Sequence, residues 1–136
     1  MLVVTTQAQT VYKLGDRGVT APVLLTKVAP TYPPEARAEG VQGRVIVEAV
    51  VLPTGRVGAD LRAVRSELWR YRGPQARDEG PAAFLSDEEV AKFGLDKEAV
   101  AALRRWTFRA GTKDGKSVPV RMLVEVPFAL TAARGV

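Results

Sequence analysis

The sequence of 136 residues contains no cysteine and no histidine. The missing cysteines exclude disulfides and thiolate nucleophiles, and the missing histidines exclude a Ser-His-Asp triad and the usual zinc sites. Carboxylates remain, but no spacing singles out two of them as a hydrolytic pair. We therefore expect no catalytic residues, no metal and no cofactor, and a protein that is not an enzyme.

Long apolar runs and charge clusters are also missing. No stretch of about eighteen apolar residues is present, and the opening "MLVV" is too short for the apolar core of a signal peptide. Lysine and arginine outnumber aspartate and glutamate by 20 to 15, but the basic residues are scattered and form no run of five or six. This pattern favours a solvated surface over a nucleic-acid-binding patch, so no nucleic-acid partner is expected.

The length suits one domain with a single core, so residues 1–136 are treated as one domain. Residues 1–27 predict a loose hairpin or N-terminal arm, because "TVYKL" and "PVLLTKV" have strand composition around a "GDRG" turn. In the following "VAPTYPPEARAEGVQGRV", the prolines predict a short helix that ends at Gly40. A strand is expected to begin at Gly43.

A β-hairpin follows, in which "GRVIVEAVVL" and "VGADLRAVRS" are joined by the turn "PTGR". Residues 67–93 then break the pattern with two Gly-Pro pairs and an acidic bias, which predicts an inserted surface lobe. Ser86 and Glu89 have the spacing of a capping box for one short helix in this lobe. "LDKEAVAALRRW" predicts a longer amphipathic helix, with Asp96 as its N-cap and Trp106 closing its apolar face.

In the closing segment "VPVRMLVEVPFAL" every second residue, from Val118 to Leu130, is apolar. This two-residue period predicts a long strand over Val118–Leu130. Pro119 and Pro127 share the opposite parity with the three residues Arg121, Leu123 and Glu125. Residues of one parity direct their backbone groups to the same lateral side, so two prolines there indicate an unpaired edge. Such an edge could be one protected from aggregation or one that docks a peptide, and the pattern alone favours neither.

These elements together predict an α+β fold. A small antiparallel β-sheet, made of the hairpin and the long C-terminal edge strand, would carry two helices on one face, with the lobe of residues 67–93 as an insert. The expected strand order is second, first, last.

Several of these segments resemble the TonB C-terminal domain family. The resemblance rests on "APTYPPEARAEGVQGRV", "GLDKEAVAALRRWTF" and "KDGKSVPVRMLVEVPFAL", and it covers roughly residues 19–66 and 94–130. The family pattern is found at Pro30, Tyr32, Pro33, Ala36, Gly40, Gly43, Val45, Leu95, Asp96, Ala99, Trp106 and Phe108. Each motif is weak alone, but their order and spacing are specific.

The resemblance implies a periplasmic domain that couples the inner-membrane proton motive force to outer-membrane transport. In the family, a receptor segment called the TonB box adds as a strand to the edge of the last strand. The implied peptide-binding residues are Pro119, Arg121, Leu123, Glu125, Pro127, Tyr32 and Pro33, the last two as a secondary contact. A proton-driven ExbB/ExbD-type complex of the inner membrane would be a second partner, through an N-terminal anchor missing from this sequence, and a homodimer is compatible with the pattern.

Three departures from the family qualify this interpretation, and one of them is the absence of the family's N-terminal membrane anchor and proline-rich spacer from this sequence. The family joins the second strand to the long helix with a few residues rather than the 27 of residues 67–93, and Ala110 stands where proline is common. A stand-alone periplasmic interaction or scaffold domain that reuses the fold is therefore the alternative. A basic nucleic-acid-binding domain, whose affinity would depend steeply on salt, is less favoured.

Overall fold

The computed structural model describes residues 10–70 and 84–130. Among these residues it contains nine strands, some of only two residues, and three helices. The strands are β1 Tyr12–Lys13, β2 Val19–Thr20, β3 Val23–Thr26, β4 Val41–Val51, β5 Arg62–Arg70, β6 Thr107–Arg109, β7 Thr112–Lys113, β8 Lys116–Ser117 and β9 Val120–Phe128. The helices are α1 Pro34–Ala38, α2 Asp87–Phe93 and α3 Leu95–Leu103. The predicted α+β fold class is confirmed.

The main sheet has four strands in the order β1-β9-β4-β5. β4 is its centre and pairs antiparallel with β5 on one side and with β9 on the other. The predicted order of hairpin and last strand is therefore confirmed. The addition is β1, which lies beside β9 in parallel orientation.

One face of the sheet carries the hydrophobic core. Val45, Val47, Ala49 and Val51 alternate along β4 and are completely buried. Residues of all three helices belong to the same buried cluster, among them Ala36, Val90, Leu95, Ala99 and Leu103. Three helices rather than two therefore line this core, because α2 also contributes a buried valine.

The helix ends follow local chain chemistry. α1 has proline at its start and is followed by Gly40, whose φ of 68° is the left-handed conformation that glycine adopts without strain. α2 begins with the predicted capping box, in which Ser86 accepts from the Glu89 backbone and the Glu89 side chain accepts from that of Ser86. The prediction of Asp96 as the cap of α3 is wrong. Gly94, at φ 75°, ends α2 and directly precedes α3, so Asp96 lies inside the first turn.

The segment interpreted as an inserted lobe is joined to the body at both ends. β5 continues to Arg70, so residues 67–70 belong to the sheet rather than to the lobe, and Leu68 is completely buried. After residues 71–83, which lie outside the described part of the chain, Phe84 bridges to Trp69. The backbone N–H of Leu85 then donates to the carbonyl oxygen of Leu68 at 2.7 Å.

Residues 1–27 were predicted to form a loose hairpin or an arm, and the hairpin does not form within the described residues 10–27. Its strands pair with partners from the C-terminal half instead: β1 with β9, β2 with β7 and β3 with β6. The turn between β1 and β2 is present, with the backbone N–H of Lys13 donating to the Asp16 carboxylate at 2.8 Å. The prediction of strands in this arm is confirmed, and the prediction that they pair with each other is wrong.

Candidate functional site: the open edge of the last strand

Strand β9 turns alternate residues toward the core and toward solvent. Val120, Val124, Val126 and Phe128 are buried. The predicted strand Val118–Leu130 is longer than the observed one by two residues at each end. Its alternation and the orientation of its buried face agree with the prediction.

The backbone direction at the outer side of β9 follows from one hydrogen bond. The N–H of Tyr12 in β1 donates to the carbonyl oxygen of Pro119 at 3.0 Å. Pro119 therefore directs its carbonyl away from β4. In an extended strand the residues of the same parity, among them Leu123 and Glu125, direct their backbone groups to the same side.

The same contact corrects the extent of the edge. β1 pairs with β9 in the register Tyr12 to Val120 and Lys13 to Arg121. The edge at Arg121 was predicted to be open, and it is closed by β1. Beyond this point no further strand of the described residues lies on the outer side of β9. The open stretch runs from Met122 to Phe128.

The open stretch offers few but well-defined groups. Leu123 has 59% of its surface accessible, and Glu125 is also exposed. Both keep a backbone N–H, whereas Pro127 has only its carbonyl. The stretch therefore presents two N–H donors and three carbonyl acceptors in line. Pro119, by contrast, is buried.

Side chains of opposite charge cover the solvent face of the main sheet. Arg44 contacts Glu67 of β5 at 2.6 Å and Glu125 of β9 at 3.0 Å, which links three strands. Hydrogen bonding to Glu67 and the charge of Glu125 raise the pKa of the Arg44 guanidinium above its usual value. On the same face Glu48 contacts Arg62 and Arg121. Each of these arginines contacts a glutamate, which partly compensates the positive charge of this face.

Tyr32 lies at the far end of β9, but its polar group is used internally. Its hydroxyl donates to the carbonyl oxygen of Val41, and its ring packs edge-on against Phe128 with centroids 5.6 Å apart. Burial raises the pKa of the Tyr32 phenol to about 12. Pro33 is half-buried at the N-cap of α1. The structure thus brings the Tyr-Pro pair to the Phe128 end of the edge, with Tyr32 in a structural contact.

Two features of this site were not predicted from the sequence. One is the end of the open stretch at β1, and the other is the aromatic pair of Trp69 and Phe84, with ring centroids 5.9 Å apart. The strand composition of "TVYKL" was the only signal for the first. For the second, the sequence shows Trp69 and Phe84 within residues 67–93 but contains no pattern that pairs them.

Within the described residues, no group of three or more acidic side chains is arranged to hold a metal ion. The same part of the chain has no helix with the length and apolar character needed to cross a membrane.

The structure defines a small α+β domain in which strand β9 is open along its outer side over seven of its nine residues. Comparison with known families is more specific: residues 28–72 match the family described as the Gram-negative bacterial TonB protein C-terminal. The predicted resemblance to the TonB C-terminal domain family is confirmed in this segment, which holds α1, β4 and β5. A solution NMR structure of the Pseudomonas aeruginosa TonB CTD is 20% identical, with a TM-score of 0.42, covering 90% of this chain and 96% of that one. No curated protein matches the chain.

Proposed function

We propose that this domain binds an extended peptide by strand addition to the open stretch of β9, as the receptor-docking domain of a TonB-type energy transducer. The observation that carries the proposal is the run of outward-directed backbone groups at Leu123, Glu125 and Pro127. It lies between a strand that closes the edge at Arg121 and a proline that ends the row of donors. The family match of residues 28–72 supports the transducer role.

Backbone hydrogen bonds would hold the peptide, and its side chains would select it. With only two N–H donors and three carbonyls available, the contact is small, and we expect micromolar affinity, about −8 kcal/mol. A charged edge would repel other strands, and a long hydrophobic edge would tend to aggregate with them. The open stretch of β9 is short and exposes one apolar and one charged side chain, those of Leu123 and Glu125.

The partner would be the TonB box of an outer-membrane receptor, and the site of action the periplasm. Force would reach the domain from a proton-driven ExbB/ExbD-type complex of the inner membrane. Catalysis has no part in this proposal, since docking by strand addition requires only backbone pairing.

The direct test is an NMR titration of the isotope-labelled domain with a ten-residue peptide of the TonB-box type. We expect amide shifts to cluster on residues 122–128 and to saturate in the micromolar range. A matched control peptide carries N-methyl groups on alternate residues, which remove its donors while leaving its side chains unchanged. Equal binding of the methylated peptide, or shifts that spare residues 122–128, would overturn strand addition.

A further inference from the structure

Two segments from opposite halves of the chain pair as one antiparallel ladder outside the main sheet. Val19 in β2 lies opposite Lys113 in β7. Val23 in β3, four residues later, lies opposite Arg109 in β6, four residues earlier, so the two pairs share one register. Opposite residues of a ladder share a face, and so do residues an even number apart along a strand. One face therefore carries all four side chains. We call the paired segments the arm ladder (residues 19–26 and 107–117).

The arm ladder and its flanking turns concentrate positive charge. Residues 10–27 and 104–117 together contain eight basic and two acidic residues, whereas the other residues of the chain contain twelve and thirteen. Lys113 lies directly opposite Lys116 in the pairing of β7 with β8, and like charges in such a position are destabilising. The ion pair found among the described residues of this region joins Lys113 to Asp114 at 3.4 Å. A bound anion would relieve the repulsion between the two lysines.

The same part of the molecule exposes apolar side chains. Leu25 is 59% exposed, since it is left over where the register of β3 with β6 shifts between Leu24 and Thr26. Of the eight large apolar side chains that are exposed among the described residues, five lie in residues 11–25, namely Val11, Leu14, Val23, Leu24 and Leu25. Apolar side chains among cations are typical of proteins that lie on an anionic bilayer. A nucleic acid would attract the cations but would leave the leucines exposed.

We propose that the arm ladder is a docking surface for a membrane that contains anionic phospholipids. Val23 and Leu25 would enter the boundary between the headgroups and the acyl chains. Arg109, Lys113 and Lys116 would contact the lipid phosphates. This inference does not rest on the proposed strand addition, because none of these residues lies in β9.

The test measures flotation of the full chain with vesicles of phosphatidylcholine, either pure or with about 30% phosphatidylglycerol. We expect binding to the anionic vesicles to be at least about tenfold tighter, and to be lost when the salt concentration is raised to about 0.5 M. Anionic vesicles that carry a trace of spin-labelled lipid should broaden the amide signals of residues 23–25 and 113–117 first. Broadening that spares both ranges would overturn the docking surface.

Two variants test the two kinds of contact. Lys116→Glu should weaken vesicle binding about fivefold or more. It should keep the fold, because a glutamate opposite Lys113 replaces a repulsive pair by an attractive one. Leu25→Ser should weaken binding up to about tenfold, since it removes an apolar side chain that the bilayer would bury.

Two matched controls should bind as the parent does. Lys97→Glu changes the net charge by the same amount at an exposed position of α3. Val64→Ser removes an exposed apolar side chain of β5. Equal losses in Lys97→Glu and Lys116→Glu would show that net charge alone attracts the vesicles, and would overturn the docking surface. So would unchanged flotation of both Lys116→Glu and Leu25→Ser. If a short DNA duplex binds as tightly as the anionic vesicles and is insensitive to Leu25→Ser, the partner is a nucleic acid and the lipid assignment is wrong.

Discussion

The backbone N–H of Tyr12 donates to the carbonyl oxygen of Pro119, residues more than a hundred positions apart in the sequence. This bond joins the N-terminal arm to the same side of β9 on which the docking edge lies. The arm therefore occupies part of the surface that a peptide would otherwise use. The length and register of any docked strand depend on it.

Tyr12→Pro should lengthen the docking edge, because it removes the N–H that holds β1 against β9. In the variant, peptide-induced amide shifts should extend from residues 122–128 back to Arg121, and longer peptides should gain affinity. We expect a stability loss of only about 1 kcal/mol, the net contribution of one hydrogen bond. Tyr12→Phe keeps the backbone donor and should behave as the parent. Shifts that still end at residue 122 in the proline variant would contradict a limiting role for β1.

Trp106→Ala should be strongly destabilising. The Trp106 side chain is only 3% exposed, packs in the core beside Phe108, and donates its indole N–H to the carbonyl oxygen of Val28 at 2.7 Å. Truncation of a buried aromatic residue costs about 3–5 kcal/mol, measurable by urea denaturation. Trp106→Phe retains most of the ring but not the donor, so it should lose about 1–3 kcal/mol. An unchanged unfolding midpoint for the alanine variant would show that the indole is not a core residue.

The best-predicted parts of the fold are those in which a short-range pattern determines the structure. The alternation of β9 and the parity of its prolines required only the two-residue period of a strand. The capping box at Ser86 depends on two residues three positions apart. In these cases the chain carries the information locally, and tertiary contacts do not contradict it.

The predicted second strand ends at Ser66, four residues before the end of β5 at Arg70, and β5 also contains a bulge. Ile46 pairs with Arg65 and Val47 with Ala63, so Val64 is left over and is 42% exposed. Beyond this irregularity the alternation continues with the opposite parity, and Leu68 falls on the core side. The bulge explains the break of the period-two pattern at Val64. The predicted end at Ser66 follows instead from the acidic bias and the Gly-Pro pairs, which assign residues 67–93 to a lobe.

The pairing of β1 could not be predicted for a different reason. A strand of two residues has no periodicity, and its partner lies at the other end of the chain. The composition of the arm indicates strands, but three short strands can pair in many ways that differ little in local free energy. Contacts with the C-terminal half decide among them.

Gly43→Ala should be more destabilising than the same change at Gly115. Gly43 lies within β4, which begins at Val41, two residues before the predicted start of the strand at Gly43. Its φ is 137°, and a Cβ atom there would lie 2.0 Å from the carbonyl oxygen of Glu67 in β5. Gly115 also has a positive φ, of 89°, but a Cβ atom there would meet nothing within 4 Å. The difference in the free energy of unfolding should be about 1–3 kcal/mol, and equal losses would contradict the close approach.

Tyr32 should make the domain sensitive to alkaline pH. Burial raises the pKa of its phenol from 10.0 to about 12, so between these values the folded state keeps a proton that the unfolded state loses. The stabilisation is complete below pH 10 and is lost as the pH rises through about 12. Tyr32→Phe should show a shallower decline in urea stability over this range, and its absorbance titration should lack the phenol that titrates near pH 12. Identical declines for the two proteins would contradict the assignment.

Leu123→Pro should abolish peptide binding at little cost in stability. The substitution removes one of the two outward donors of the open stretch, while the buried residues Val124 and Val126 on either side of Glu125 are unchanged. Because that N–H points away from β4, its loss breaks no bond of the main sheet, and the free energy of unfolding should fall by no more than about 1 kcal/mol. Leu123→Ala is the matched control, since it removes the exposed side chain and keeps the donor. If the alanine variant loses binding as completely as the proline variant, side-chain contact rather than backbone pairing holds the peptide.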